Sequence, residues 1–298
     1  MRATERIIVT GSVQGVGFRP FVWRKAHLLA LAGEVRNRGD HVEVLATGTE
    51  AQRNSLIEAL RQGPPHAQVE TVTRTPDKRI FTGAFTIATS EAGALHSGIV
   101  PDLALCPACR ADISTPRSRR WRYALTCCTD CGPRFSIVTD FPYDRANTTM
   151  APFTLCAACR AEYENPADRR FHAEPVACPA CGPRLYYTGP AQPEEDPLDS
   201  AIRLLKQGGI LAIKGTGGYH LACLATDTAA IATLRARKHR PAKPLAVMVA
   251  DTDAASAFAA PSAAELLLLQ DASAPIVTVR ATSALPESLA PGLDRIGL

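Results

Sequence analysis

A chain of 298 residues with 33 Lys plus Arg against 29 Asp plus Glu, a formal net charge of +4, has room for two or three domains, and its composition excludes a disordered or fibrous protein. Between positions 106 and 184 eleven Arg face eight Asp plus Glu, without the basic stripe of a nucleic-acid reader, so no nucleic-acid partner is expected. Residues 1–11 carry charges where a signal peptide needs an apolar core, and no run of eighteen apolar residues occurs, which predicts a cytoplasmic, reducing address and no membrane partner.

Residues 6–13 alternate as a strand. The stretch Gly11-Ser-Val-Gln-Gly-Val-Gly-Phe-Arg19 then breaks into a glycine-rich turn before a helical pattern over 20–31, where Pro20 suits the first helical position. A glycine-rich loop that opens a helix aims backbone N–H groups at one point and makes an anion cradle. Arg19, at the end of the loop, can close on the same anion with its planar fork. Taken alone, such a loop also fits a plain strand-turn-helix. Strands over 33–38 and 41–47, a helix over 50–62, and strands over 68–74 and 79–89 complete a βαββαβ ferredoxin-like sandwich with one extra strand.

The loop 13–19, the strand Gly33-Glu-Val-Arg-Asn37 before Gly39, and Gly63-Pro-Pro-His-Ala67 resemble acylphosphatases, over nearly all of the first ninety residues. The resemblance implies that Gln14, Gly15, Val16, Gly17, Phe18 and Arg19 hold the phosphate of an acyl phosphate. It makes Arg19 and Asn37 the catalytic pair, with Asn37 orienting the attacking water. Such a hydrolysis needs charge stabilisation on the phosphoryl oxygens and a placed water, with no metal required. His27 and His41 are expected as a helix-face and a strand-end residue.

Four Cys-x-x-Cys pairs follow in two copies of one pattern. Cys106 and Cys109 precede Cys128 and Cys131 by eighteen intervening residues, and Cys156 and Cys159 precede Cys178 and Cys181 by the same eighteen, at a period of fifty. The flanks repeat as well, Arg120-Trp121 with Arg170-Phe171 and Cys131-Gly-Pro-Arg134 with Cys181-Gly-Pro-Arg184, so the unit is duplicated. Two Cys-x-x-Cys turns supply the tetrahedral sulfur shell that suits Zn2+, and units this short need metal to supply folding energy. Two structural zincs are expected, closed to water, with disulfides or a redox pair as the lesser readings. Pairing of the knuckles within a repeat or across repeats stays open. Gly132 and Gly182 are expected to take positive φ at the knuckles. Cys127 and Cys223 receive no role.

The stretch 189–197, rich in Pro and acid, reads as a linker. A helix over 198–207, a strand over 210–214 and the loop Gly215-Thr-Gly-Gly-Tyr-His220 come next; the loop lacks the Gly-Lys-Ser/Thr ending of a Walker motif. A second helix ends in the basic run 235–243, followed by an apolar strand over 244–249, a helix over 263–270 and a strand over 276–279. That run fits a solvated helix end or a grip on polyphosphate.

The stretches 214–220 and 234–248 resemble the YrdC-like domain, and acylphosphatase, twin four-cysteine fingers and YrdC-like domain in this order resemble the HypF family of carbamoyltransferases that mature [NiFe]-hydrogenases. The fold class expected is therefore an α+β multidomain chain: an acylphosphatase-like domain at 1–91, a tandem zinc-finger domain at 92–188 and the start of a YrdC-like α/β domain at 198–298. The resemblance implies hydrolysis of carbamoyl phosphate to carbamate, joining of carbamate to ATP, with Mg2+, as carbamoyl adenylate, and transfer to the terminal cysteine of a HypE-type partner. It places Lys214, Arg237, Lys238, Arg240 and Lys243 near the nucleotide. One departure is the sequence Leu224-Ala-Thr-Asp227 where the family continues from the cysteine with Asp. No two histidines are spaced His-x-x-x-His, so the final transferase domain is expected to be missing from this chain. Rival readings are an acylphosphatase on a zinc scaffold and a zinc-dependent nucleic-acid-binding module.

Overall fold

The computed structural model describes residues 2–92, 100–190, 194–215, 217–282 and 284–298, and forms two compact units, Met1–Pro183 and Arg184–Leu298. The first unit opens with β1 (Ala3–Ser12), α1 (Phe18–Leu28), β2 (Ala32–Arg38), β3 (His41–Gly48), α2 (Glu50–Gln62), β4 (Gln68–Asp77) and β5 (Thr86–Ile87). The five strands make one sheet in the order β4-β1-β3-β2-β5, antiparallel except for β2 with β5. Alternation decides which face is buried: Ile7, Val9, Val35, Val42 and Val44 are fully covered, together with Val22 and Ala26 of α1 and Leu56 and Leu60 of α2. Thr49 caps α2 in a reciprocal box with Gln52.

Two expectations in this part need correction. The strand expected over 79–89 shrinks to Thr86–Ile87, because β4 runs on to Asp77, and Arg79 then turns back so that its backbone N–H and its guanidinium both donate to the Asp77 carboxylate. A local side-chain partner there replaces the ladder. The first helix begins two residues earlier than expected, at Phe18, with left-handed Gly17 as its N-cap, and ends at Leu28, before left-handed Ala30.

The rest of the unit carries α3 (Pro107–Ser114) and α4 (Ala157–Glu164), each of eight residues and each capped by the first cysteine of its repeat. The buried cluster at the first knuckles consists of Cys109, Cys127, Cys128 and Cys131. Thiols stand where another domain would place aliphatic side chains.

The second unit runs α5 (Pro197–Lys206), β6 (Leu211–Lys214), β7 (Tyr219–Ala222), α6 (Thr228–Lys238), α7 (Thr252–Phe258), β8 (Ala259–Ala260), α8 (Ala263–Leu269), β9 (Thr278–Ala281) and β10 (Arg295–Gly297). Ile231, Ala255, Val277, Val279 and Ile296 centre its core. Three expectations change here. The stretch expected as a loop over 215–220 is shorter: Gly215 N–H donates to Gly218 O at 2.8 Å in a β6-β7 hairpin, and Tyr219 and His220 already belong to β7; α6 starts only after the Asp227 cap. Residues 244–249 are no strand, since only Leu245 N–H and Val247 N–H find carbonyls, those of Leu289 and Gly297. The last expected strand lies two residues later, at Thr278–Ala281. Large apolar side chains stand exposed in this unit, among them Met248, Leu267 and Ile276. Among the described residues no helix is long and apolar enough to cross a membrane.

Arg235 holds this unit together from inside. Its guanidinium donates to the carbonyls of Ser288, Leu289, Arg240, Pro241 and Lys243, so the basic run loses one member to structure. Arg235→Leu leaves those carbonyls without their donor and is expected to cost about 3 kcal/mol or more. Hydrogen exchange should show amides of residues 228–298 losing protection while those of β1 and β3 keep theirs.

Candidate active site and metal centres

The cradle is built by the β1-α1 turn. Gly15 and Gly17 are left-handed, at φ 76° and 71°, a conformation that glycine adopts without steric cost. The backbone N–H groups of residues 15–19 find no acceptor among the described residues. They stand ready for an anion. Arg19 and Asn37 come from α1 and β2, both are buried, and both line one cavity with Gln14, Gly15, Gly17 and Phe18. The structure thus brings the residues expected for phosphate binding and water placement to one place. Val16 turns away and is buried in the core. His27 packs on Trp23 with ring centroids 3.7 Å apart, outside the cavity.

Sequence reasoning missed what covers this cradle. The roof is the cysteine-rich half of the unit. Tyr143 N–H donates to Gln14 Oε1 at 2.9 Å and Asn37 Nδ2 to Tyr143 O at 3.4 Å. Arg134, fully buried, donates to Gly15 O and also to the carbonyls of Cys128, Thr129 and Cys131, so one guanidinium ties the cradle loop to the first knuckles. Arg184, its counterpart in the second repeat, is exposed. His172 and Glu174 complete the roof, and the covered space is about 20 Å³, room for about one water.

Arg19 meets two carboxylates from that roof. Its Nη2 lies 2.7 Å from Glu174 Oε1 and 2.7 Å from Asp144 Oδ1, and its Nη1 donates to Ser90 Oγ at 3.1 Å. Glu174 is itself held on its other oxygen, by the Tyr163 hydroxyl at 2.9 Å and Arg145 N–H at 3.0 Å. Burial pushes the Glu174 carboxyl up from its ordinary range, against the pull of Arg19. Burial, reinforced by Arg19, pushes His172 down to about 4, so its ring is neutral at pH 7. A signal for the missed residues was present: where the second repeat has His172 and Glu174, the first has Arg122 and Ala124. Positions at which a duplicated unit differs in charge are where its copies face different neighbours.

The expected nucleotide residues do not share one element. Lys214 is on β6 with Nζ 5.0 Å from the Tyr219 ring centroid. Arg237 and Lys238 are exposed at the end of α6, Lys243 is exposed beyond it, and Arg240 Nη2 donates to Pro244 O at 2.7 Å.

The eight paired cysteines gather into two sets, Cys106, Cys109, Cys128 and Cys131, and Cys156, Cys159, Cys178 and Cys181, each with all sulfurs within 4.8 Å of one another. Pairing is therefore within each repeat. Individual Sγ–Sγ separations are 3.7 Å for Cys106–Cys128 and 3.8 Å for Cys128–Cys131, with 3.8 Å and 3.7 Å for their counterparts. A tetrahedron with metal–sulfur bonds of ~2.3 Å has edges of ~3.8 Å, whereas a disulfide needs ~2.05 Å. The clusters are compatible with structural zinc, and four protein thiolates leave no position for water. Only Gly132 takes the positive φ expected at both knuckles, at 95°. Gly182 is needed for room instead, since a Cβ there would meet the Tyr123 hydroxyl at 2.2 Å. Cys127 packs with the first knuckle cysteines, while Ala177, at the equivalent place in the second repeat, packs with Tyr123, Ile137 and Met150.

The two repeats lock each other by an exchange of arginines. Arg119 and Arg120 of the first donate to Cys159 Sγ and pair with Glu162 of the second, at 2.7 Å and 2.6 Å. Arg169 and Arg170 of the second donate to Cys109 Sγ and pair with Asp112 of the first. Arg120 Nε donates to Ala177 O and Arg170 Nε to Cys127 O, the equivalent carbonyls. A four-thiolate zinc shell carries net negative charge, and these guanidinium groups sit where they offset it. Such outer partners are worth about 10–100-fold in metal affinity. Arg169→Ala with Arg170→Ala is therefore expected to loosen the zinc of the other repeat, held by Cys106, Cys109, Cys128 and Cys131. Chelator-driven zinc release, followed by a colorimetric indicator, should change from two slow equivalents to one fast and one slow.

Comparison with known proteins agrees with this architecture. Family models match as Acylphosphatase over residues 5–87, HypF finger over 105–138 and 155–188, and the Sua5, YciO and YrdC group, described as Telomere recombination, over 203–298. The chain is 50% identical over 296 residues to carbamoyltransferase HypF of Rhodobacter capsulatus, covering 98% of this chain and 39% of that protein. Residues of the first unit are 46% identical over 82 positions to acylphosphatase of Caldivirga maquilingensis, 26% of this chain and 86% of that protein. A crystal structure of full-length HypF in a phosphate- and nucleotide-bound form superposes with a TM-score of 0.94 at 38% identity, over 100% of this chain and 40% of that one. The chain spans about two-fifths of the length of the HypF relatives it matches. With three family models in this order and high identity along its whole length, the chain belongs to the HypF family of carbamoyltransferases.

Proposed function

We propose that the first unit hydrolyses carbamoyl phosphate to carbamate and phosphate, as the entry step of carbamoyl transfer in hydrogenase maturation. The observation that carries it is the meeting of Arg19, Asn37 and the unpaired loop amides in one cavity. The amides and Arg19 bind the phosphoryl oxygens, and Asn37 places a water in line with phosphorus. The water oxygen attacks phosphorus, and the P–O bond to the carbamoyl oxygen breaks. Carbamate leaves with the electron pair as an anion, needing no proton from the protein, and the water's proton passes to phosphate or solvent. Electrostatic stabilisation and placement account for such a reaction without a metal at the cradle.

In this reading the working domains are 1–91, 92–188 and 198–298, and both zincs are structural. The last domain takes ATP, with Mg2+, through Lys214, Arg237, Lys238, Arg240 and Lys243, and joins it to carbamate as carbamoyl adenylate with release of pyrophosphate. The acceptor is the terminal cysteine of a HypE-type partner. Ten unbridged cysteines suit the reducing cytoplasm.

Phosphate release from carbamoyl phosphate by the purified chain tests the first step. Arg19→Ala should lower turnover by about 10²–10³-fold, the usual loss for a transition-state donor. Asn37→Ala should lower kcat with less effect on KM, because the water and not the substrate loses its guide. Near-normal turnover of Arg19→Ala would place the cradle elsewhere.

A further inference from the structure

An acylphosphatase cradle needs only its loop, Arg19 and Asn37, yet here the cysteine-rich half delivers two carboxylates to the catalytic guanidinium. Glu174 Oε1 and Asp144 Oδ1 converge on the same nitrogen, Arg19 Nη2, each at 2.7 Å. The Glu174 carboxylate cannot swing away cheaply, because Tyr163 and the Arg145 amide fix its other oxygen and its side chain is 3% exposed. When a phosphoryl group draws the Arg19 fork, both carboxylate oxygens lose a donor, and that of Glu174 does so in a buried place. A buried acceptor left unpaired is costly, most of all when it is charged. Tyr143, His172 and Glu174 line the same cavity as the cradle loop and Arg19, so the group carried on the phosphoryl oxygen enters beside them. An –NH2 on that group offers two N–H bonds to the two oxygens that Nη2 gave up. A methyl group of the same size offers none.

We infer that Glu174, assisted by Asp144, is the specificity-determining residue of the acyl-phosphate site, accepting the N–H bonds of a carbamoyl group and rejecting alkyl acyl groups that leave its oxygen unpaired. The inference rests on the reading of the cradle as an acyl-phosphate hydrolase. It assigns to the second cysteine repeat a selective role at a site whose chemistry lies in the first ninety residues.

The test compares kcat/KM for carbamoyl phosphate and acetyl phosphate, two substrates of near-equal size that differ in –NH2 against –CH3. The intact chain should prefer carbamoyl phosphate by about a hundred-fold or more, as sites built to bond a polar group reject the analogue that lacks it. Glu174→Ala should lose most of that preference, by a fall in the carbamoyl rate and a gain in the acetyl rate. Asp144→Asn, at a position that is a quarter exposed, should lose part of it with the fold intact, and decides the matter if Glu174→Ala fails to retain two zincs. A ratio unchanged in Asp144→Asn and in folded Glu174→Ala overturns the inference. An intact chain that hydrolyses both substrates equally overturns it too, while leaving the hydrolase reading in place. Hydrolysis of neither substrate overturns both.

Discussion

Two sets of four thiols, each confined within 4.8 Å, stand beside a small apolar cluster of Tyr123, Ile137, Met150 and Ala177 in the middle of this chain. The cysteine repeats are short and poor in aliphatic residues, and their thiol sets are compatible with structural zinc, which would supply folding energy. The exchanged arginines make the two shells interdependent: each guanidinium pair reaches from its own repeat to a cysteine and a carboxylate of the other. A loop cannot present side chains with this rigidity. Two locked knuckle units can, and what they present is the roof of the cradle.

The consequence is a site with divided ownership. The ferredoxin-like sheet and α1 place the unpaired amides, Arg19 and Asn37. The cysteine-rich half places Arg134 against Gly15, Tyr143 against Gln14 and Asn37, and Glu174 with Asp144 against Arg19. Arg19 is thus held by two carboxylates, those of Glu174 and Asp144, that come from the other half of the unit.

The second unit shows how a basic run divides between structure and surface. Arg235 faces inward onto five carbonyls, while Arg237 and Lys238 on the next turn point to solvent. Charge counted along a sequence overstates what is available to a ligand, because a helix end turns successive residues to different sides. The β6-β7 hairpin makes a parallel point about glycine: the residue type that opens α1 at Gly15 and Gly17 merely closes a turn between strands when no helix follows.

The sequence by itself determined the local chemistry. Glycines and Arg19 at the β1-α1 turn, Asn37 on the next strand and four Cys-x-x-Cys pairs at a period of fifty are legible because each depends on spacing within a few residues. The alternation of β1 and β3 likewise announced the sheet, while the stretch 79–85 and the segment 244–249 misled because their apolar residues lack ladder partners. Tertiary structure alone decided how the knuckles pair, since a duplication makes them equivalent in sequence. It also decided that Arg134 is buried while Arg184 is exposed, and that Glu174 meets Arg19 across 155 positions of chain. Sequence spacing carries no information at that range, because such contacts are set by how two folded halves pack and not by the period of any one element.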